Sequence, residues 1–350
     1  MPKPWFEGFD PNGPGSHEGL FGLPCSLDEA GVVLLPVPWE ATVSYGKGAA
    51  FGPTIIQRES SQVDLYQDDI FQAWKLGIAY SPIENKISSL NFDLLRKLDT
   101  YVGDDGEYIK KYEKDIVNEV DSSSRVLNEF IEEQSTQWLQ KDKIVGVVGG
   151  EHSSPLGLMR ALARQYSDYG ILQIDAHADL RNGYEGYKYS HASIMFNALD
   201  IIGVSQLVQV GVRDYCDEEA ELITEDERIR TFTYQEIKEE QFSGLSWAKQ
   251  VDRIINLLPE KVYVSYDIDG LDPSLCPNTG TPVPGGFSFD EVDYLLRKLA
   301  ASGRQIIGFD LCEVSPGENS GEWDGNVGAR VLYRLCNLSA ASQKKILFND

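Results

Sequence analysis

Four short apolar runs in this chain end in side chains that can hold metal ions or move protons. Val147-Val148 leads into Gly149-Gly150-Glu151-His152, and Leu172-Gln173-Ile174 into Asp175-Ala-His177-Ala-Asp179. Tyr263-Val-Ser-Tyr leads into Asp267-Ile-Asp269-Gly-Leu-Asp272-Pro, and Ile307-Gly-Phe into Asp310-Leu-Cys-Glu313. In extended chain, residues i and i+2 share a face, so Asp175 and His177 point together, as do Asp267 and Asp269. A lone Asp-x-Asp is ordinarily a solvated turn, and a lone histidine after a strand an ordinary surface residue. Here the signals coincide: the chain has four histidines, and His152, His177 and His191 all fall within or beside these segments. Several carboxylates converging on one place would repel and take up protons unless positive charge sat among them. One or two divalent cations would supply it, and mixed carboxylate and imidazole donors suit Mn²⁺, Fe²⁺, Ni²⁺ or Zn²⁺ better than Ca²⁺ or Mg²⁺. His17 lies in an irregular N-terminal stretch and carries no such expectation.

The elements that would position these groups alternate. Strand-length runs at 31–37, 143–148, 170–174, 206–212, 230–233, 262–266 and 305–309 are interleaved with helical patterns near 53, 115–140, 155–166, 193–199, 217–223, 247–258, 290–301 and 328–341. Such alternation predicts an α/β fold with a parallel sheet of seven or eight strands covered on both faces. Open parallel sheets bind ligands at the carboxyl ends of their strands, where the four polar segments fall. Residues 1–28 are rich in Gly and Pro and read as an irregular arm. Residues 29–350 read as a single domain, with a polar, weakly patterned insertion near 80–112.

A net charge of -24 over 350 residues argues against nucleic acid or an anionic membrane surface as partner, and favours a small cationic ligand. No apolar stretch is long enough to span a bilayer and the first residues lack a signal-peptide core, so a cytoplasmic location is expected. The five cysteines are widely spaced, with no Cys-x-x-Cys, and read as buried, inert thiols.

Gly149-Gly-Glu-His-Ser, Asp175-Ala-His-Ala-Asp, Ser190-His191, and Ser265-Tyr-Asp-Ile-Asp-Gly-Leu-Asp-Pro followed by Thr279-Gly-Thr-Pro-Val-Pro-Gly-Gly resemble the ureohydrolases, the family of arginase, agmatinase, guanidinobutyrase and formimidoylglutamase. The likeness runs in order from about residue 30 to the C-terminus. It implies a three-layer α/β/α fold with about eight strands and a centre of two Mn²⁺ ions, with Ni²⁺ as the alternative. By that resemblance His152, Asp175, Asp179 and Asp267 would hold one metal, and His177, Asp175, Asp267 and Asp269 the other. Asp175 and Asp267 would bridge, while Asp272 would fix the turn. The resemblance also implies a homo-oligomer, trimeric or hexameric.

The implied chemistry is hydrolysis of a guanidino C–N bond. Resonance makes the guanidinium carbon a poor electrophile, so a strong nucleophile is needed at neutral pH. Two metals roughly 3.5–4 Å apart can share a water and turn it into hydroxide. The leaving amine then needs a proton, for which His191 is the candidate donor. Glu313, just before a Ser-Pro, would hold the guanidinium, and Asp179 is placed both in the metal shell and among the catalytic groups. The products would be urea and an amine. The short loop Leu180–Ser190 resembles the agmatinase branch, which makes agmatine the expected substrate; guanidinobutyrate, arginine and free guanidine are the alternatives. A metal-binding pseudoenzyme is the alternative of another class. Glu40 and Glu185 lie in loops where either could meet a distal ammonium, or simply be an exposed loop acid.

Overall fold

In the computed structural model, residues 4–100, 114–317 and 322–349 are described. Eight strands build one sheet: β1 (Val32–Val37), β2 (Ile78–Tyr80), β3 (Ile144–Gly149), β4 (Tyr169–Ile174), β5 (Val204–Val210), β6 (Ile229–Phe232), β7 (Lys261–Tyr266) and β8 (Gln305–Leu311). Every pairing is parallel, in the order β2-β1-β3-β8-β7-β4-β5-β6. The helices are α1 (Gly52–Ser60), α2 (Asn85–Asp99), α3 (Lys114–Leu139), α4 (Leu156–Gln165), α5 (Ile194–Leu199), α6 (Asp217–Glu225), α7 (Tyr234–Phe242), α8 (Trp247–Asn256), α9 (Phe289–Ala301) and α10 (Glu322–Ser342).

Both faces of the sheet are covered, as near-continuous apolar strands require. Along β1, Val32 and Leu34 join a core with α1, α8, α9 and α10, while Val33 and Leu35 join a second core with α2, α3, α4 and α5. The period of two thus divides one strand between two layers.

The sheet order decides the site. The four strands with polar ends, β3, β8, β7 and β4, are neighbours at the centre of the sheet. Pairing continues past the formal strand ends, with Asp267 N donating to Ile174 O at 3.0 Å, Cys312 N to Tyr266 O at 2.9 Å and Glu313 N to Gly150 O at 2.8 Å. Gly150 sits where a Cβ would lie 1.9 Å from the Trp39 carbonyl, so only glycine lets these backbones approach.

Three elements were not foreseen. β2 is a three-residue edge strand, too short to show a pattern. α7 buries only Ile237, leaving little apolar periodicity, and is started by the Thr233 hydroxyl accepting from Glu236 N. α2 forms part of the stretch expected as a weakly patterned insertion; residues 101–112 of that stretch lie outside the described residues. Its buried face is Ile87, Asn91, Leu94 and Leu98, at helical spacing but with a polar residue in the seam. The irregular arm has a 3₁₀ turn, Leu20–Gly22, and is packed down: Trp5 meets Trp74 edge-on, Phe9 lies tilted against the same ring, and Phe21 lies 4.9 Å from the Tyr333 ring. Among the described residues no helix is long and apolar enough to cross a membrane.

Helix α2 also braces the loop after β1. Asn91 Oδ1 accepts from Glu40 N at 2.9 Å in a buried contact, and Lys47 pairs with Asp99 at 2.8 Å. Asn91→Ala leaves a buried N–H without its acceptor and is expected to cost about 1–3 kcal/mol, measured by denaturant unfolding. A loss under about 0.3 kcal/mol would show that the helix does not brace this loop.

Candidate metal centre and active-site pocket

His152 follows β3, and its Nδ1 lies 3.1 Å from Asp175 Oδ2, 3.0 Å from Asp179 Oδ2 and 3.3 Å from Asp267 Oδ2. The atom is buried and makes no hydrogen bond of acceptable geometry with any of them. An imidazole nitrogen facing three carboxylate oxygens is the donor set of a cation site. Beside it, His177 Nδ1 lies 3.0 Å from Asp269 Oδ2 and 3.7 Å from Asp175 Oδ1. Donor atoms of His152, Asp175 and Asp267, and those of Asp175, His177 and Asp269, each lie within 4.8 Å of one another, so Asp175 belongs to both groups. Asp267 falls in the first group, and Asp179 reaches it through His152. The residues present therefore fit two adjacent divalent cations.

The protonation equilibria carry the same message. Burial drives Asp267 well above the carboxylate range, and the charges of Asp269 and Asp175 add to it. Burial and Asp175 push Asp179 up to about 7. Burial opposes charge on His177, yet Asp269 and Asp175 outweigh it and push the imidazole up to about 12. His152 is likewise raised despite its burial, by Asp175, Asp179, Asp267 and Asp310. Asp175 alone in this set is lowered: burial opposes the shift, and His152 and His177 overcome it. Protons are here standing in for positive charge that metal ions would supply.

A second layer, which sequence reading did not assign, orients these groups. His152 Nε2 contacts Ser265 Oγ at 2.9 Å, and Asp310 Oδ2 accepts from Ser265 Oγ at 2.8 Å and Tyr263 OH at 2.7 Å. Asp175 Oδ2 accepts from Gln173 Nε2 at 2.8 Å; Gln209 Nε2 donates to Gln173 Oε1, and Thr231 to Gln209 Oε1, both at 2.6 Å. The signal was present in Ile-Leu-Gln-Ile and Val-Gln-Val, where one polar residue interrupts an apolar strand. Such outer contacts hold ligands in place before a metal arrives. Gly270 belongs to the same packing, because a Cβ there would lie 2.9 Å from Asp175 N. Asp272 Oδ1 accepts from Ser274 N at 2.9 Å, as a turn-fixing aspartate does.

A cavity of about 290 Å³ opens over these groups, and its walls include His191, Glu313, Tyr45, Arg181, Asp214 and Tyr215. Tyr45 and Tyr215 are exposed at its rim. Two non-glycine residues in it have left-handed backbones, Asp179 at φ 55° and Glu313 at φ 63°, conformations no sequence pattern disclosed. Glu313 Oε1 accepts from His152 N at 2.7 Å, leaving Oε2 for another partner. Burial, with Glu151 adding to it, holds Glu313 well above the usual carboxylate range. His191 is pushed down to about 4 by burial and by His177, and so is neutral at rest. Glu40 is corrected: it is buried, and its Oε2 accepts from Gly48 N and Ala50 N at 2.8 and 3.0 Å, which staples its own loop. Neither Glu40 nor Glu185 lines this cavity.

The arginase-family profile matches residues 30–337. The chain belongs to the arginase family. An N1-aminopropylagmatine ureohydrolase of Synechocystis sp. is 31% identical over 328 residues, 92% of this chain and 93% of that protein. An agmatinase of Bacillus cereus is 31% identical over 292 residues, 83% of this chain and 86% of that protein. The crystal structure of the agmatine ureohydrolase of Thermoplasma volcanium shares the fold at a TM-score of 0.68 and 23% identity, covering 92% of this chain and 94% of that one. This ureohydrolase is thus a hydrolase of C–N bonds, in a family that depends on two metals.

Metal uptake must displace protons from His152 and His177, so binding should release protons and tighten as pH rises. At roughly a hundredfold excess over its dissociation constant, a cation bound only by the folded chain adds about 2.7 kcal/mol of stability, read as a raised Tm. Calorimetry with Mn²⁺ in buffers of different ionisation enthalpy should give different heats. Equal heats and an unchanged Tm would refute the centre.

Proposed function

We propose that the chain is a binuclear-metal amidinohydrolase that cleaves a guanidino compound with a cationic tail to urea and an amine, with agmatine as the substrate. N1-aminopropylagmatine, named in several relatives, has the same head and a longer cationic tail, and is the second reading. The observation that carries the reaction is the pair of His/Asp groups sharing Asp175, of which His152, His177 and Asp267 line the cavity. His152, Asp175, Asp179 and Asp267 would hold one ion, and His177, Asp175, Asp267 and Asp269 the other, as Mn²⁺ or alternatively Ni²⁺. Bound there, the two ions would supply a hydroxide nucleophile at neutral pH.

The chain's own residues do the rest. Glu313 offers its free Oε2 to the guanidinium and fixes the carbon for attack by charge-assisted hydrogen bonds. Asp179 lies at the cavity floor and can accept a hydrogen bond from the attacking water. His191 is neutral at rest, takes a proton and hands it to the leaving nitrogen, which cannot depart as an anion. The tail preference is supported by charge: Arg181 is offset by buried Glu219 at 3.8 Å, while Asp214 is exposed on the same wall. An open cavity of about 290 Å³ also exceeds what free guanidine would fill. A trimeric or hexameric assembly and a cytoplasmic location belong to the same proposal.

Urea release should be measured with agmatine, N1-aminopropylagmatine, guanidinobutyrate, arginine and guanidine, first with Mn²⁺ and then with Ni²⁺. The two cationic-tailed compounds should show the highest kcat/KM; preference for guanidinobutyrate or guanidine would overturn the assignment. Glu313→Gln removes the charge from a hydrogen bond worth about 1.5–3 kcal/mol, so kcat/KM should fall by roughly 10- to 150-fold. A variant with wild-type kcat/KM would remove Glu313 from substrate binding.

A further inference from the structure

Behind His191 lies a small buried network that the reaction described above does not use. Thr42, 1% exposed in the loop after β1, is anchored twice to Glu151, itself 0% exposed: its amide donates to Oε2 and its hydroxyl to Oε1, both at 2.8 Å. Ser153 Oγ donates to the same Oε1 at 2.6 Å, so three donors converge on one carboxylate. The Thr42 hydroxyl also meets His191 at two atoms, accepting from His191 N at 3.0 Å and lying 3.3 Å from His191 Nδ1.

The count of protons at Thr42 favours one tautomer of His191. A hydroxyl has one proton and two lone pairs. The proton of Thr42 goes to Glu151, and one lone pair takes the His191 amide. Toward Nδ1 the oxygen has only a lone pair left, so Nδ1 must bring the proton. The other hydroxyl near this nitrogen, Ser190 Oγ, accepts from Ala192 N at 3.3 Å and keeps a proton of its own, but at 3.5 Å it is the more distant partner of Nδ1. Tyr184 meets the ring edge-on, with centroids 6.1 Å apart, and contests neither nitrogen.

We propose that Thr42, anchored by Glu151, sets the tautomer of His191: the proton sits on Nδ1 and the lone pair on Nε2, the nitrogen left to exchange protons with the cavity. Thr42 is therefore a positioning residue. Its contribution to rate rests on the reading of His191 as the proton carrier, whereas the tautomer does not. In turnover, Nε2 accepts one proton from water and releases one to the leaving nitrogen, while Nδ1 keeps its own against Thr42. The opposite tautomer would point its only basic nitrogen at the Thr42 oxygen and away from the substrate. The same loop is held by Glu40 and, through Asn91, by α2, which gives that helix a route to the proton-transfer group.

The test is nitrogen NMR of the full-length, metal-free chain labelled with ¹⁵N-histidine, at about pH 8.5, well above the ordinary range of carboxylates and imidazoles. The four histidines keep the spectrum simple, and a His191→Gln spectrum assigns the signal. The wild type and Thr42→Ser should show His191 with its proton on Nδ1. Thr42→Val, which keeps the shape and removes the hydroxyl, should shift His191 to a tautomer mixture. Ser190→Ala should leave it on Nδ1. A wild-type spectrum with the proton on Nε2, or a Thr42→Val spectrum unchanged from wild type, overturns the proposal.

With Mn²⁺ and the preferred guanidino compound, Thr42→Val should lower kcat by roughly 10- to 100-fold with KM little changed, and Thr42→Ser should restore it. If Thr42→Val shifts the tautomer while kcat stays at the wild-type value, the tautomer assignment stands and His191 is not the proton carrier. The two failures are thereby distinguishable.

Discussion

The molecule is organised around a crowd of like charges. Asp175, Asp179, Asp267 and Asp269 are buried within one small volume, and Glu313 and Asp310 are buried close by. Carboxylates in such surroundings do not all stay ionised, and the raised affinities of Asp179, Asp267 and Glu313 for protons express the conflict. Two histidines held as cations relieve part of it. Divalent ions would relieve it more fully, because they concentrate charge where the oxygens point. The fold bears an arrangement that is costly when unfilled, and a bound cation would draw affinity from relieving that cost.

Holding that arrangement requires the surroundings to over-determine each side chain. Parallel pairing runs past the strand ends, tying Asp267 to β4 and Glu313 to Gly150. Beneath the ligands, Thr231, Gln209, Gln173 and Asp175 form a hydrogen-bonded row across three neighbouring strands, and Tyr263, Ser265 and Asp310 stand behind His152. Buried polar rows of this kind stiffen a site only when every member is satisfied. His152 Nδ1, left without a hydrogen bond, is the exception that points outward to the cation position.

Chemistry and selectivity are divided between strands and loops. The strand ends carry the candidate metal ligands, while the loops after β1, β4 and β5 carry Thr42, His191 and Asp214. Loops on a fixed scaffold are where a family changes substrate without disturbing its reaction. In this chain the first of those loops is gripped by α2, so a helix outside the cavity wall helps to place the loop that carries Thr42.

Much of this was legible in the amino-acid order. Alternating strand and helix patterns imply a parallel sheet, and the period of two places Asp175 with His177 and Asp267 with Asp269 whatever the fold around them. The motifs therefore announce ligand-type groups, because spacing along an extended chain is a local property. Local spacing does not determine which strands become neighbours. Only the order β3-β8-β7-β4 brings His152, Asp175, Asp267 and Glu313 together from segments up to 161 residues apart. The tertiary structure alone turned Glu40 inward as a loop staple, gave Asp179 and Glu313 left-handed backbones, and set Thr42 against His191 across 149 residues. Those outcomes depend on which backbone amides and side chains meet in space. A single buried hydroxyl acquires its role from partners that no neighbouring residue reveals.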